Sequence, residues 1–294
     1  MPFLTRNCLI CQPVTFFLSM MSCCLCELCM RGQRENSVWA SRRKFYALRL
    51  GVDFSAQLTH DTGMRISAKN LGLLALPDAC ERCFWMRAKL GWRAPWAIMP
   101  GIFSSIDAYS KRAILAYHDR HGRLPSWIAG RWAEARPLPT PHHSTFRLTD
   151  PETGIVLTGV PDLMLALSGN GLAILDLKTA RHSDHQDELL PMYQIQLNGY
   201  ALIAEGLGMG HVEALGLIYC EPPTNGEDEG LDALVGDHGF EMPFRATAVP
   251  VGLDRSTIPP LLRRAKEILE MEHPPQGREG CRDCRMVGEI VGHY

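Results

Sequence analysis

The stretch Ile155 to Tyr200 reads IVLTGVPDLMLALSGNGLAILDLKTARHSDHQDELLPMYQIQLNGY, and the fold turns on how it is divided. Two clusters of turn-forming residues punctuate it: Asp150-Pro151-Glu152-Thr153-Gly154 just before, and Ser168-Gly169-Asn170-Gly171 within. Each separates apolar runs of strand length. Three antiparallel strands are expected, at about Ser144 to Leu148, Ile155 to Leu167 and Leu172 to Lys178. The last is apolar until Asp176-Leu177-Lys178, where an acid and an amine appear two residues apart and therefore on one face. Asp162, on the neighbouring strand, is within reach of that pair.

Two carboxylates and a lysine at the edge of an apolar sheet are costly unless compensated. A divalent cation compensates them, and oxygen ligands suit Mg²⁺ or Mn²⁺, which complete their shells with water and phosphate. A structural ion pair, Lys178 with Asp162 or Asp176, accounts for the same residues without a metal. The following segment bears on the choice. Leu189 to Glu205 has the pattern of a helix opened near Pro191 and closed by Gly206. Tyr193, Gln196 and Tyr200 fall on one of its faces, overhanging the acids.

Val160-Pro161-Asp162, Asp176-Leu177-Lys178 and Gln196-Leu197-Asn198-Gly199-Tyr200, in that order, resemble the PD-(D/E)XK nuclease superfamily and its RecB-like branch with a QxxxY helix. Either short motif alone carries no weight; the ordered set on strand, strand and helix does. The resemblance covers about fifty residues directly, and most of Met64 to Tyr294 once the cysteines are included. It implies an α/β fold, a restriction-endonuclease-like mixed central sheet flanked by helices. It further implies metal-dependent hydrolysis of DNA phosphodiesters, by an exonuclease acting on single strands or free ends in recombination, repair or phage DNA processing. Asp162, Asp176 and the Leu177 carbonyl would hold one or two Mg²⁺ or Mn²⁺ ions. Lys178 would orient or deprotonate the nucleophile, and Gln196 and Tyr200 would fix the strand or the lysine. A helicase or recombination protein acting in trans is the partner such an enzyme suggests. The rival expectation is a non-cutting DNA-binding or scaffold protein of the same fold.

Composition sets the outer limits. A chain of 294 residues with 46% hydrophobic content can bury a substantial core, and its net charge of −2 offers no global basic field. Nucleic-acid binding then rests on local patches, of which the arginines at 82, 87 and 93, at 263 and 264, and at 278, 282 and 285 are the candidates. No apolar run of the roughly 18 residues needed to span a bilayer is evident, and there is no phosphate-cradling GxxxxGK[ST]. A cytoplasmic location is expected.

Residues 1–63 read differently from the rest, as a disordered or spurious extension ahead of a natural start at Met64. Their six cysteines include Cys8-x-x-Cys11 and Cys26-x-x-Cys29, a weak zinc pattern. Residues 64–294 form the proposed nuclease domain, beginning with a helix capped by Ser67. Cys80-x-x-Cys83 near its start and Cys281-x-x-Cys284 near its end supply the ligand set of a tetrahedral thiolate site, zinc or iron-sulfur, which would staple the two ends together. RecB-like nucleases use a four-iron four-sulfur cluster in such a clasp, but with one cysteine early and three late. Here the division is two and two, which keeps zinc open; unligated buried cysteines are the remaining reading.

Met99-Pro100-Gly101 ends a turn from Trp92, and Ile102 to Arg120 reads as an amphipathic helix with Ile106, Ala113, Leu115 and Tyr117 on its apolar side. The resemblance implies a metal-proximal histidine or glutamate on such a helix. None stands after Gly101, and Asp107 is the nearest substitute. His118, His121, His142 and His143 read as surface residues, since magnesium prefers oxygen. Leu124 to Pro141 is expected as a loop with helical turns, and His182 to Glu188 as a polar loop beside the site. Val212 to Tyr219 and Phe244 to Val251 should be strands, Pro222 to Gly239 an exposed acidic insertion, and Thr257 to Met271 a helix ended by Pro274-Pro275.

Overall fold

The structure is a computed structural model that describes residues 63–92, 101–132, 134–182, 188–223 and 232–292, all within the unit His60–Tyr294. The expectations for residues 1–62, and for the parts of the Trp92 to Gly101 turn, the 182–188 loop and the 222–239 insertion that fall at 93–100, 183–187 and 224–231, lie outside the described residues.

The described chain opens with β1 (Arg65–Ser67) and α1 (Ala68–Leu71). As expected, the Ser67 side chain caps α1, accepting from the Asn70 N–H at 3.1 Å. Then come α2 (Glu81–Lys89), α3 (Gly101–His121), α4 (Ser126–Ala129), β2 (Arg136–Leu138), β3 (Arg147–Thr149), β4 (Val156–Thr158), β5 (Leu163–Ala166) and β6 (Leu172–Lys178). The chain continues with α5 (Leu190–Gly206), β7 (Val212–Glu221), the small ribbon β8 (Val235–Gly236) and β9 (Gly239–Phe240), β10 (Arg245–Val251), α6 (Ile258–Glu270) and α7 (Arg282–Gly292).

Five strands form the central sheet in the order β10-β7-β6-β5-β2, antiparallel except for the parallel pair β6/β7, which α5 connects. A parallel connection needs such a crossover, and a strand covered on both faces reads as a continuous apolar run. That is why Leu172 to Leu177 is buried residue by residue. On one face Leu163, Leu165, Leu175, Leu177 and Ile218 meet Ile114 of α3, Ile128 of α4 and Trp132. On the other, Met164, Ile174, Leu215 and Leu217 meet α5 and α6. α5 is buried nearly all round, as a helix wedged between sheet and neighbouring helices must be.

Three expectations need correction. The expected strand from Ile155 to Leu167 is two strands in two sheets: β4 joins β3 and β1 in a separate three-stranded sheet, and only β5 enters the central one. The break falls at Gly159-Val160-Pro161-Asp162, where Pro161 has no N–H to give a ladder. Second, α5 runs through Gly206, where a Cβ would meet Leu148 at 2.8 Å, and it is Gly208 that takes the left-handed conformation, at φ +70°. Third, α3 does not bury Ala113 or Leu115; its packed face holds Asp107, Lys111 and Ile114, and Leu115 is 41% exposed. The region 124–141 also supplies β2, an edge strand that tolerates Pro137.

Candidate active site

The two predicted turns place the acids. Asp150 Oδ2 accepts from Thr153 N–H at 2.8 Å, Gly154 and Asn170 adopt left-handed φ, and the second turn closes the β5–β6 hairpin. Register pairs Leu163 with Leu175, so Asp162, one residue before β5, stands opposite Asp176. Asp162 shares the parity of Met164, and Asp176 that of Ile174, both on the α5 side of the sheet. The two carboxylates therefore converge.

Asp162 Oδ2 accepts the backbone N–H of Leu177 at 2.8 Å, which ties it to the acid-bearing strand. Burial, and then the charge of Asp176, push its carboxyl up to about 6 against the attraction of Lys111. Asp176 is only 3% exposed; burial raises its pKa too, opposed by Lys178. Asp176 Oδ1 accepts from Gln196 Nε2 at 2.8 Å, and the same Nε2 reaches the Tyr200 hydroxyl at 2.8 Å. Gln196 Oε1 in turn accepts from Lys178 Nζ at 3.1 Å, and that ammonium lies 4.1 Å from the centre of the Tyr193 ring. The face that α5 was expected to present is thus the one that holds the acid and the amine. Burial and the Asp176 charge raise the Tyr200 phenol well above its ordinary value, so the hydroxyl stays protonated.

Tyr200 also explains the strand break. A Cβ at Gly159 would lie 2.2 Å from the Tyr200 ring, so the chain passes the ring only as glycine and then lifts Asp162 toward Asp176.

Asp107 does not join the acids directly. Its Oδ2 receives Lys111 Nζ at 2.7 Å, and the same Nζ lies 2.6 Å from Asp162 Oδ1, giving the chain Asp107, Lys111, Asp162. Burial works against the Lys111 charge, but these two carboxylates outweigh it and raise its pKa. Lys69 of α1 feels the same acids; crowding of its ammonium by the site, and then the nearby Lys178, lower its pKa. Sequence reading missed both lysines. Lys111 lies one turn beyond Asp107, which was the available signal.

The residues fit a hard divalent cation. Asp176 Oδ2 is buried, and among the described residues its one close partner is the Lys178 ammonium, 2.5 Å away. Two carboxylates converging at a buried position supply the oxygen donors such a cation takes, and the ammonium beside Asp176 offsets their charge in its place.

The four clasp cysteines also meet. The Sγ atoms of Cys80, Cys83, Cys281 and Cys284 all lie within 4.8 Å of one another. Burial opposes ionisation of Cys80, but the backbone N–H groups of Arg278 and Cys83 and two thiols lower its pKa to about 7. Burial raises Cys284 to about 11.

Residues 103–287 match the model of the PD-(D/E)XK nuclease superfamily. None of the curated proteins matches the chain. Among solved structures, one titled "Crystal structure of SSO0001" is similar at 15% identity and a TM-score of 0.32, covering 81% of this chain and 90% of that one. A likeness that slight carries no argument.

Proposed function

The chain belongs to the PD-(D/E)XK nuclease superfamily and has its restriction-endonuclease-like fold, and from this premise we propose that it is a Mg²⁺- or Mn²⁺-dependent deoxyribonuclease of the RecB-like branch. Asp162, Asp176 and the Leu177 carbonyl hold the metal, which when bound acidifies a water and offsets phosphate charge. Lys178, fixed by Gln196 and by the Tyr193 ring, orients that water and through its charge favours loss of the water's proton. Gln196 holds Asp176 in place, with Tyr200 behind it. Asp107 is a positioning residue that acts through Lys111. The substrate is DNA with single-stranded character or free ends, degraded as an exonuclease does in recombination, repair or phage DNA processing, with a helicase or recombination protein as partner. The observation that carries this reading is the meeting of Asp162 and Asp176 on one face of the sheet, with Lys178 beside them.

Incubation with single- and double-stranded DNA and Mn²⁺ tests it: shortening of the strands that stops on chelation is expected, and intact DNA at every metal concentration refutes it. The non-cutting alternative has one observation in its favour, since each acid already has a lysine at ion-pair distance. It predicts DNA binding indifferent to Mn²⁺ and no products.

A further inference from the structure

The family resemblance implies a four-iron four-sulfur cluster in the cysteine clasp, and the sulfurs do not fit one. In such a cluster each thiolate binds its own iron, so the four sulfurs must stand outside the whole inorganic core. Here Cys80 Sγ lies 3.6 Å from Cys284 Sγ, and Cys83 Sγ lies 3.5 Å from both Cys281 Sγ and Cys284 Sγ. The centre of a regular tetrahedron with such edges is about 2.2 Å from each corner, against about 2.3 Å for a zinc–thiolate bond. Even if every edge had the 4.8 Å upper limit, that centre would lie only about 2.9 Å from each sulfur, room for one atom and not for a core of irons and sulfides.

The surroundings hold the sulfurs in. The Arg278 backbone N–H donates to Cys80 Sγ at 3.3 Å, and a Cβ on Gly277 would stand 3.0 Å from Cys284 Sγ and 3.4 Å from Arg82 Cδ. The backbone at 277–278 therefore lies against two of the four ligands, with a hydrogen bond to Cys80 and with glycine where a side chain would crowd Cys284. The pairs are also built alike. Cys80 caps α2 and Cys281 immediately precedes α7, so each pair sits at a helix N-terminus, whose exposed N–H groups favour thiolate. Phe84 N–H to Cys80 O (2.9 Å) and Arg285 N–H to Cys281 O (3.1 Å) close the two first turns equivalently.

We infer that Cys80, Cys83, Cys281 and Cys284 form a mononuclear tetrahedral thiolate site for zinc, a redox-inert staple, in place of the cluster. Binding releases the thiol protons and leaves a dianionic zinc tetrathiolate, with no change of oxidation state. The site stands apart from the acids and holds whether or not they cut DNA.

Metal analysis of the full chain, purified both in air and without oxygen, tests it. About one tightly held zinc per chain, colourless protein in both preparations, and the visible spectrum of tetrahedral thiolate-bound cobalt after growth on Co²⁺ are expected. A Cys80→Ser protein should lose at least tenfold in zinc affinity, and the Asp176→Asn protein should keep its zinc, which separates this result from any failure of the nuclease reading. Brown protein with stoichiometric iron and sulfide would overturn the inference, as would folded wild-type protein free of bound metal.

Discussion

Asp162 and Asp176 are held side by side out of water, and the cost appears in their protonation. The Asp162 carboxyl, ordinarily near 3.8, is pushed up to about 6. The folded metal-free protein thus keeps a proton that the unfolded chain has shed, so its stability falls as pH rises from about 4 to about 6 and levels off above. A cation must displace that proton. Mn²⁺ affinity measured by calorimetry should therefore climb across the same window and flatten above it; affinity indifferent to pH there would contradict the assignment of Asp162. Lys111 competes with the cation for Asp162. Lys111→Met should tighten Mn²⁺ binding, by roughly tenfold if about 1.4 kcal/mol of competing attraction is removed, and unchanged or weaker binding would show that Lys111 does not compete. The residue scale was also where the sequence was easiest to read. Asp176, Lys178, Gln196 and Tyr200 assemble as expected because strand and helix periodicity alone place them. Lys111 escaped because its local signal, a position one turn beyond Asp107, shows the first acid and not the second, Asp162, fifty-one residues on.

Among the elements, the hairpin β5–β6 was legible from turn residues and apolar runs, as were α5 and β7 singly; that α5 crosses over to make β7 parallel to β6 was not. The break between β4 and β5 was not: Gly159-Val160-Pro161 reads equally as a bulge, and what decides it is the Tyr200 ring forty residues on. α3 misled for a related reason. Its apolar residues suggest one packed side, whereas the packed face includes a charged pair that the site itself satisfies. The close approach at Gly159 can be tested directly. Gly159→Ala should drive the ring away, destabilise the protein by about 1–3 kcal/mol and slow cleavage. An unchanged melting temperature and unchanged activity would mean that the close approach positions nothing.

Across the described residues, the clasp joins cysteines 198 to 204 residues apart, enclosing Asp162 and Asp176 in one closed loop. Closing so long a loop removes much of the freedom of the unfolded chain. Stripping the clasp metal should lower the melting temperature without moving Asp162 or Asp176, and a melting curve indifferent to strong chelation would refute a structural role. The pairing of early and late cysteines was visible in the sequence; the spacing of their sulfurs was not, since it depends on the backbone at 277–278. The central claim concerns the other site, and it is tested most directly with end-labelled DNA and Mn²⁺, comparing wild type with Asp176→Asn, whose fold and zinc content should be unchanged. The account predicts progressive shortening by the wild type and a loss of roughly a hundredfold or more in the variant. Equal degradation by both proteins would contradict it.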